Sequence, residues 1–199
     1  MNLPHTLFQL TGSAHPAARL ADATLLIIDA QNEYRSGDLR LPGIEPAAAQ
    51  IHRLLEAARA AGAPVVHVRH IGVPGYLFDP QGPRGAILEE LAPLPGEAVV
   101  DKPLPNAFAH SELDAVLRGL GREELVVVGF MTHMCVSATV RAAKDLGYRS
   151  TVVAAACATR DLPGIDGAVV DAASLHRMEL AALADLFACV VAEAADLDA

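Results

Sequence analysis

The sequence predicts an α/β protein: a three-layer αβα sandwich built on a mostly parallel, Rossmann-like six-stranded sheet. Two observations carry this expectation. Six short runs rich in Val, Ile or Leu recur along the chain, and amphipathic runs of helical spacing separate them. Continuous apolar strands alternating with helices belong to a parallel sheet covered on both faces, and right-handed crossovers then give a doubly wound arrangement. The 199 residues suit one domain, spanning 1–199, with a sizeable core.

Residues 1–20 read as an irregular arm before the first strand, 24–29. A long helix is expected over 46–61, with Pro46 near its start and Gly62 beyond its end; Ile51, Leu54, Leu55 and Ala58 then share one face. The second strand is 64–69. After it, Gly and Pro crowd residues 71–96, a loop-rich insertion near the expected active site that carries Tyr76, Leu77 and Phe78 together. The third strand is 98–101, followed by a helix over 111–120 and a fourth strand over 125–129. A helix over 135–146, a strand over 150–156, a helix over 168–187 and a last strand over 188–192 complete the series. In the last helix Leu175, Met178, Ala182, Leu186 and Phe187 fall near one stripe, and His176 beside it reads as structural or exposed.

Composition narrows the function classes. A formal net charge of -9 with no basic stripe argues against nucleic-acid or anionic-membrane partners. Three cysteines give no disulfide framework and suit a reducing compartment. Cys157 and Cys189 lie within or beside strands and read as core packing. The N-terminus lacks the order of a signal peptide, and no apolar run reaches membrane-spanning length, so the cytoplasm is the expected location.

In doubly wound sheets ligands bind outside the carboxyl ends of the strands, so what the strands present as they end is informative. The first ends in Asp29, the third in Asp101 and Lys102, and the fourth opens through Gly129 toward Cys135. A strand buried on both faces should not end in an unpaired charge, and mutual pairing of Asp29 with Lys102 removes the cost. A thiol just before a helix N-terminus faces unpaired N–H groups, which favour thiolate over the ordinary thiol pKa of about 8.5. A lone cysteine is more often buried and inert, but an acid, an amine and a thiol on one sheet edge form a workable set for attack on a carbonyl. In that reading Cys135 is the nucleophile, Lys102 stabilises its thiolate, and Asp29 moves the protons. The main-chain N–H groups of Met131 and Cys135 would form the oxyanion hole.

These residues carry a resemblance. The chain is similar to the isochorismatase-like cysteine hydrolases, a superfamily that includes nicotinamidases, N-carbamoylsarcosine amidase and isochorismatase. The likeness spans residues 23–191 and rests on TLLIIDAQNEY with Asp29, DKPLPNAF with Lys102 and GFMTHMCV with Cys135, in matching order and spacing. It implies the αβα fold, the Asp, Lys, Cys triad and a non-proline cis peptide between Phe130 and Met131. Relatives commonly form dimers or tetramers, and a homodimer or homotetramer is expected here. ATRDL, residues 158–162, resembles small cysteine hydrolases such as streptothricin hydrolase.

Departures from the pattern sharpen the expectation. Nicotinamidases carry an Asp-x-His metal motif after the second strand, whereas this chain reads HVRHIGVPG, with His70 and Gly72 at those places. His67 and His70 have an odd separation on a strand and should face opposite ways, so neither a metal nor any other cofactor is expected. Isochorismatases proper protonate a vinyl ether with the aspartate and need no thiol, so Cys135 points to an amide, ureido or lactam-like bond of a small molecule. Gln31, Tyr76, Phe78, Leu104, Phe108, Phe130 and His133 are candidate substrate contacts. The 71–96 segment can equally be a subunit contact, and His133 can equally be a solvated loop residue.

Two other classes fit less well. Lys102 followed by Pro103 suggests a phosphoacceptor receiver module, but the paired acids of such a module are missing after the first strand. A dinucleotide-binding domain lacks its glycine fingerprint. A non-catalytic assembly member of the same fold is the remaining alternative.

Overall fold

The computed structural model describes residues 4–197. The sheet contains β1 (Thr24–Ile28), β2 (Val65–His70), β3 (Ala98–Lys102), β4 (Glu124–Phe130), β5 (Arg149–Ala158) and β8 (Ala188–Val191) in the order β3-β2-β1-β4-β5-β8, with every pairing parallel. The sequence reversal falls at β1, whose neighbours are β2 and β4. That is the switch point where a doubly wound sheet opens a crevice at its carboxyl edge.

The period of two on each strand separates two cores. Leu25, Ile27, Val126 and Val128 face one layer, and Leu26, Ile28, Val66, Val68 and Val127 face the other. The first layer is closed mainly by α3 (Ile44–Ala60), whose buried Ile44, Ala47, Ala48, Ile51, Leu54, Leu55 and Ala58 repeat at helical spacing. The second is closed by α4 (Leu113–Leu120), α5 (Ser137–Asp145) and α6 (Ala172–Leu186). Fully burying a Leu or Ile side chain contributes about 2 kcal/mol, so these two apolar faces supply the main drive for folding.

Several details differ from the sequence reading. The N-terminal arm carries a short helix, α1 (Leu7–Thr11), opened by a capping box between Thr6 and Gln9, and α2 (Glu33–Ser36) follows β1. The predicted helix over 168–187 begins later: β6 (Leu162–Pro163) pairs antiparallel with β7 (Val169–Val170), and Asp171 then caps α6 by accepting from the Ser174 N–H at 2.9 Å. The inward face of α6 is also not the expected stripe. Leu180 and Leu183 are buried, while Met178 is 53% exposed. His176 lies on the inward side with them, because Thr132 offers its ring a partner at 2.8 Å.

Candidate active site

Three chain kinks at the carboxyl edge place the reactive groups. Asp29 follows β1 with φ +50°, a left-handed conformation that Asp tolerates better than most residues. Beside it Gly129 takes φ +117° at a register shift between β4 and β5, and a Cβ there would overlap the Ile28 carbonyl oxygen. Only glycine lets β4 come this close to the end of β1. The chain then passes through a cis peptide between Phe130 and Met131 into a π-helical turn, Thr132–Val136, closed by the Val136 N–H on the Met131 carbonyl at 3.2 Å. The predicted helix over 135–146 therefore starts two residues later, and Cys135 sits inside the preceding turn rather than at the helix start. Such turns are frequent at functional sites.

The side chains converge. Asp29 and Lys102 are both fully buried, with Nζ 2.8 Å from Asp29 Oδ2. Lys102 Nζ also donates to Cys135 Sγ at 3.4 Å, to the Leu104 carbonyl at 3.1 Å and to His70 Nδ1 at 3.0 Å. An ammonium has three protons, and with Asp29 it has four close acceptors that compete for them. Asp29 Oδ2, at 2.8 Å, is the nearest of the four and shares the ammonium with the other three. A desolvated carboxylate in this condition is ready to take a proton from a neighbour.

Electrostatics follow from burial. Desolvation raises the Asp29 pKa, and the charge of Lys102 offsets this only in part. Cys135 is raised well above its ordinary value, first by burial and then by the adjacent Asp29 charge, against which Lys102 pulls down. The sequence expectation of a lowered thiol pKa is therefore reversed: burial and the Asp29 charge outweigh the pull of Lys102. Burial, then the charge of Lys102, push His70 down to about 4, so its ring is neutral at pH 7.

His70 is the member of this cluster that sequence reasoning missed, because it was weighed only as a metal ligand. Ligand atoms of Asp29, His70 and Cys135 lie within 4.8 Å of one another, so these are the residues able to hold a metal. The Lys102 ammonium already fills the space among them, and a divalent ion would have to displace it. His67 lies elsewhere, with Nε2 2.9 Å from Glu97 Oε2.

The other candidate contacts divide into groups. Tyr76, 73% exposed, lies with His70, Gly72, Val73, Leu77 and Phe78 along an open cleft of about 530 Å³. Phe78 is buried, 5.2 Å from the Tyr34 ring in an edge arrangement. Leu104 is exposed beside Lys102, while Phe108 stacks on Tyr148. Phe130 is sealed in the core. His133 bonds Thr159 through Nδ1. Gln31 is fully buried and its amide is spent on main chain: it accepts from the His70 N–H at 2.8 Å and donates to the carbonyls of His70 and Gly85 at 3.0 and 2.8 Å. Glu33, unremarked in the sequence, is also fully buried. Its carboxylate takes the N–H of Phe78, Asp38 and Leu39 and the Nε and Nη2 donors of Arg84, which fixes the cleft wall to the end of β1.

A parallel αβα sheet with a buried thiol, carboxylate and amine at its switch point defines the class: a hydrolase of the cysteine-hydrolase type. The chain belongs to the isochorismatase family, whose domain profile matches residues 23–195. It is similar to the crystal structure of an isochorismatase from Pseudomonas putida KT2440, at 53% identity and TM-score 0.94, covering 97% of this chain and 99% of that one. It is also similar to a secreted isochorismatase effector of Verticillium dahliae, 42% identical over 92% of this chain and 94% of that protein. Streptothricin hydrolase of Streptomyces noursei is 38% identical over 70% of this chain, which spans 50% of that longer protein. No helix among the described residues is long and apolar enough to cross a membrane.

Proposed function

We propose that the protein hydrolyses a C–N bond of a small amide, ureido or lactam-like molecule through a thioester on Cys135. Asp29 takes the thiol proton as Sγ attacks the carbonyl carbon. The N–H groups of Met131 and Cys135 receive the oxyanion, and the Lys102 charge steadies the site while negative charge moves from Asp29 to sulfur and oxygen. Protonated Asp29 then gives its proton to the leaving nitrogen, the C–N bond breaks, and an amine departs. Water, deprotonated by Asp29, attacks the thioester; the acid leaves and the thiol is restored.

The observation that carries this reading is the Lys102 ammonium, 2.8 Å from Asp29 Oδ2 and 3.4 Å from Cys135 Sγ in a sealed site. Likeness to ureidoacrylate amidohydrolase of Stutzerimonas stutzeri, 33% identical over 73% of this chain, supports the bond class. The substrate would enter from the Tyr76 cleft, and a homodimer or homotetramer is the proposed assembly. A panel of N-carbamoyl acids and primary amides, read by ammonia release, tests the proposal. Release by wild type that disappears in Cys135→Ala is expected; full release by Cys135→Ala overturns it.

That second outcome would favour another reading, vinyl-ether hydrolysis with Asp29 as the acid. The raised Asp29 pKa and the isochorismatase names of two relatives support it.

A further inference from the structure

His70 is held more firmly than a residue at the end of a strand requires. The buried Gln31 amide clamps its main chain on both sides, accepting from its N–H and donating to its C=O. Its ring meets the Phe78 ring edge to face at 4.9 Å. Two contacts of Gly72 shape the wall beyond it: its N–H donates to the Phe78 carbonyl at 3.0 Å, and only glycine fits there, because a Cβ would overlap the Leu77 carbonyl oxygen. Imidazole, cleft wall and Lys102 are therefore built as one unit.

The ring's two nitrogens have different neighbours. Nδ1 lies 3.0 Å from Lys102 Nζ. An ammonium can only donate, so Nδ1 must be the acceptor, and the ring proton belongs on Nε2. Nε2 has no protein partner among the described residues, and it is not among the sealed polar atoms, unlike Nδ1 of His67 and Nε2 of His133. His70 lines the cleft with Gly72, Val73, Tyr76, Leu77 and Phe78, and that wall is otherwise apolar apart from the Tyr76 hydroxyl and main chain.

We propose that His70 is a positioning and specificity residue: Nδ1 fixes the Lys102 ammonium between Asp29 and Cys135, and Nε2–H offers the cleft a hydrogen bond to an oxygen acceptor of the substrate. This rests on the reading of Lys102 as part of the reacting site. The ligand class is a small molecule with a carbonyl, ureido or carboxylate oxygen joined to an apolar body that lies against Val73, Tyr76 and Leu77. A cationic or purely hydrocarbon group at that place would leave the imidazole donor unused. The groups facing the ring are Lys102 from β3, Asp29 beyond β1, Cys135 from the π turn and the Phe78 ring from the loop. Protonation of His70 would set two cations 3.0 Å apart and release Lys102.

The tests need no turnover, so their failure is separable from failure of the amide-hydrolysis reading. In uniformly 15N-histidine-labelled protein, His70 is identified by the signals lost in His70→Asn. The expected spectrum is a neutral Nε2–H tautomer that persists from pH 7 to pH 5, with the Nε2–H proton shifting on titration with N-methylurea. An Nδ1–H tautomer, or an imidazolium midpoint at the ordinary value of about 6.5, overturns the positioning half. No response of Nε2–H to saturating N-methylurea overturns the recognition half. Iodoacetamide labelling of Cys135 against pH then compares variants. His70→Asn, whose side-chain oxygen replaces the Nδ1 acceptor, should track wild type, and His70→Leu should move about tenfold in rate toward Lys102→Ala. A His70→Leu profile equal to wild type contradicts the proposal; if that variant does not fold, the tautomer measurement on the wild type decides.

Discussion

Lys102 Nζ stands 2.8 Å from Asp29 Oδ2, and both side chains are wholly removed from solvent. The pair ties β1 to β3 across β2, which lies between them in the sheet. Breaking a buried pair leaves an uncompensated group, so Lys102→Met should lower unfolding stability by about 3–5 kcal/mol in urea titrations. The double variant Lys102→Met with Asp29→Asn should recover part of that loss. A double variant no more stable than Lys102→Met alone would show that the pair is not what the single change destroys.

The thiol should titrate late. Burial and the Asp29 charge raise the Cys135 pKa, so alkylation by iodoacetamide should still be rising above pH 9 in wild type. Asp29→Asn removes a negative charge, which lowers the cost of forming the thiolate, and its labelling midpoint should fall relative to wild type. Lys102→Ala removes the positive charge and should move the midpoint the other way. A wild-type midpoint below about 8.5 would mean that the thiolate is preformed.

Acid stability should depend on a cluster away from the reacting groups. Burial works to raise Glu97, but hydrogen bonds from Arg59, the Leu94 N–H and His67 win, and the carboxyl is held down to about 2. A depressed folded pKa contributes stability that is present above the unfolded value of about 4.5 and is lost as pH falls through about 2. His67 is lowered by burial, so its loss begins earlier, as the unfolded chain takes up a proton below about 6.5. Urea midpoints at pH 7, 5 and 3 should decline in two stages, and Glu97→Gln should flatten the stage below pH 4.5 by about 2 kcal/mol. An unchanged slope in that variant would contradict the assignment.

Gly129→Ala should be costly without touching a reactive group. The position has φ +117°, and the new methyl group would meet the Ile28 carbonyl. A loss of about 2 kcal/mol or more is expected in thermal or urea unfolding, together with altered Cys135 labelling, because both Asp29 and the Cys135 turn hang from this contact. Wild-type stability would show that β4 can retreat at no cost.

What the sequence made legible follows the reach of each signal. The six strands appear because a parallel sheet writes long apolar runs, and Asp29, Lys102 and Cys135 appear because charge or thiol at the end of such a run has few bland explanations. His70 appeared only as a residue at a metal-motif position, and Glu33 did not appear. Their roles come from partners 32 and 51 residues away, Lys102 and Arg84, and no local period encodes them. The α6 face differs for a related reason: the apolar stripe leaves His176 beside it, although Thr132, 44 residues away, gives its ring an inward partner. The thiol pKa was misjudged because a helix N-terminus is visible in sequence, whereas competition between Asp29 and Cys135 for one ammonium is visible only in space.

The most direct test of the thioester route is rapid acid quench of the protein with p-nitrophenyl acetate, followed by peptide mass spectrometry. An acetyl group on the Cys135 peptide during turnover, with neither acetyl group nor turnover in Cys135→Ala, is the predicted result. Turnover that continues in Cys135→Ala, with Cys135 never acylated in the wild type, would contradict it and leave Asp29 as the acid of a reaction that does not use the thiol.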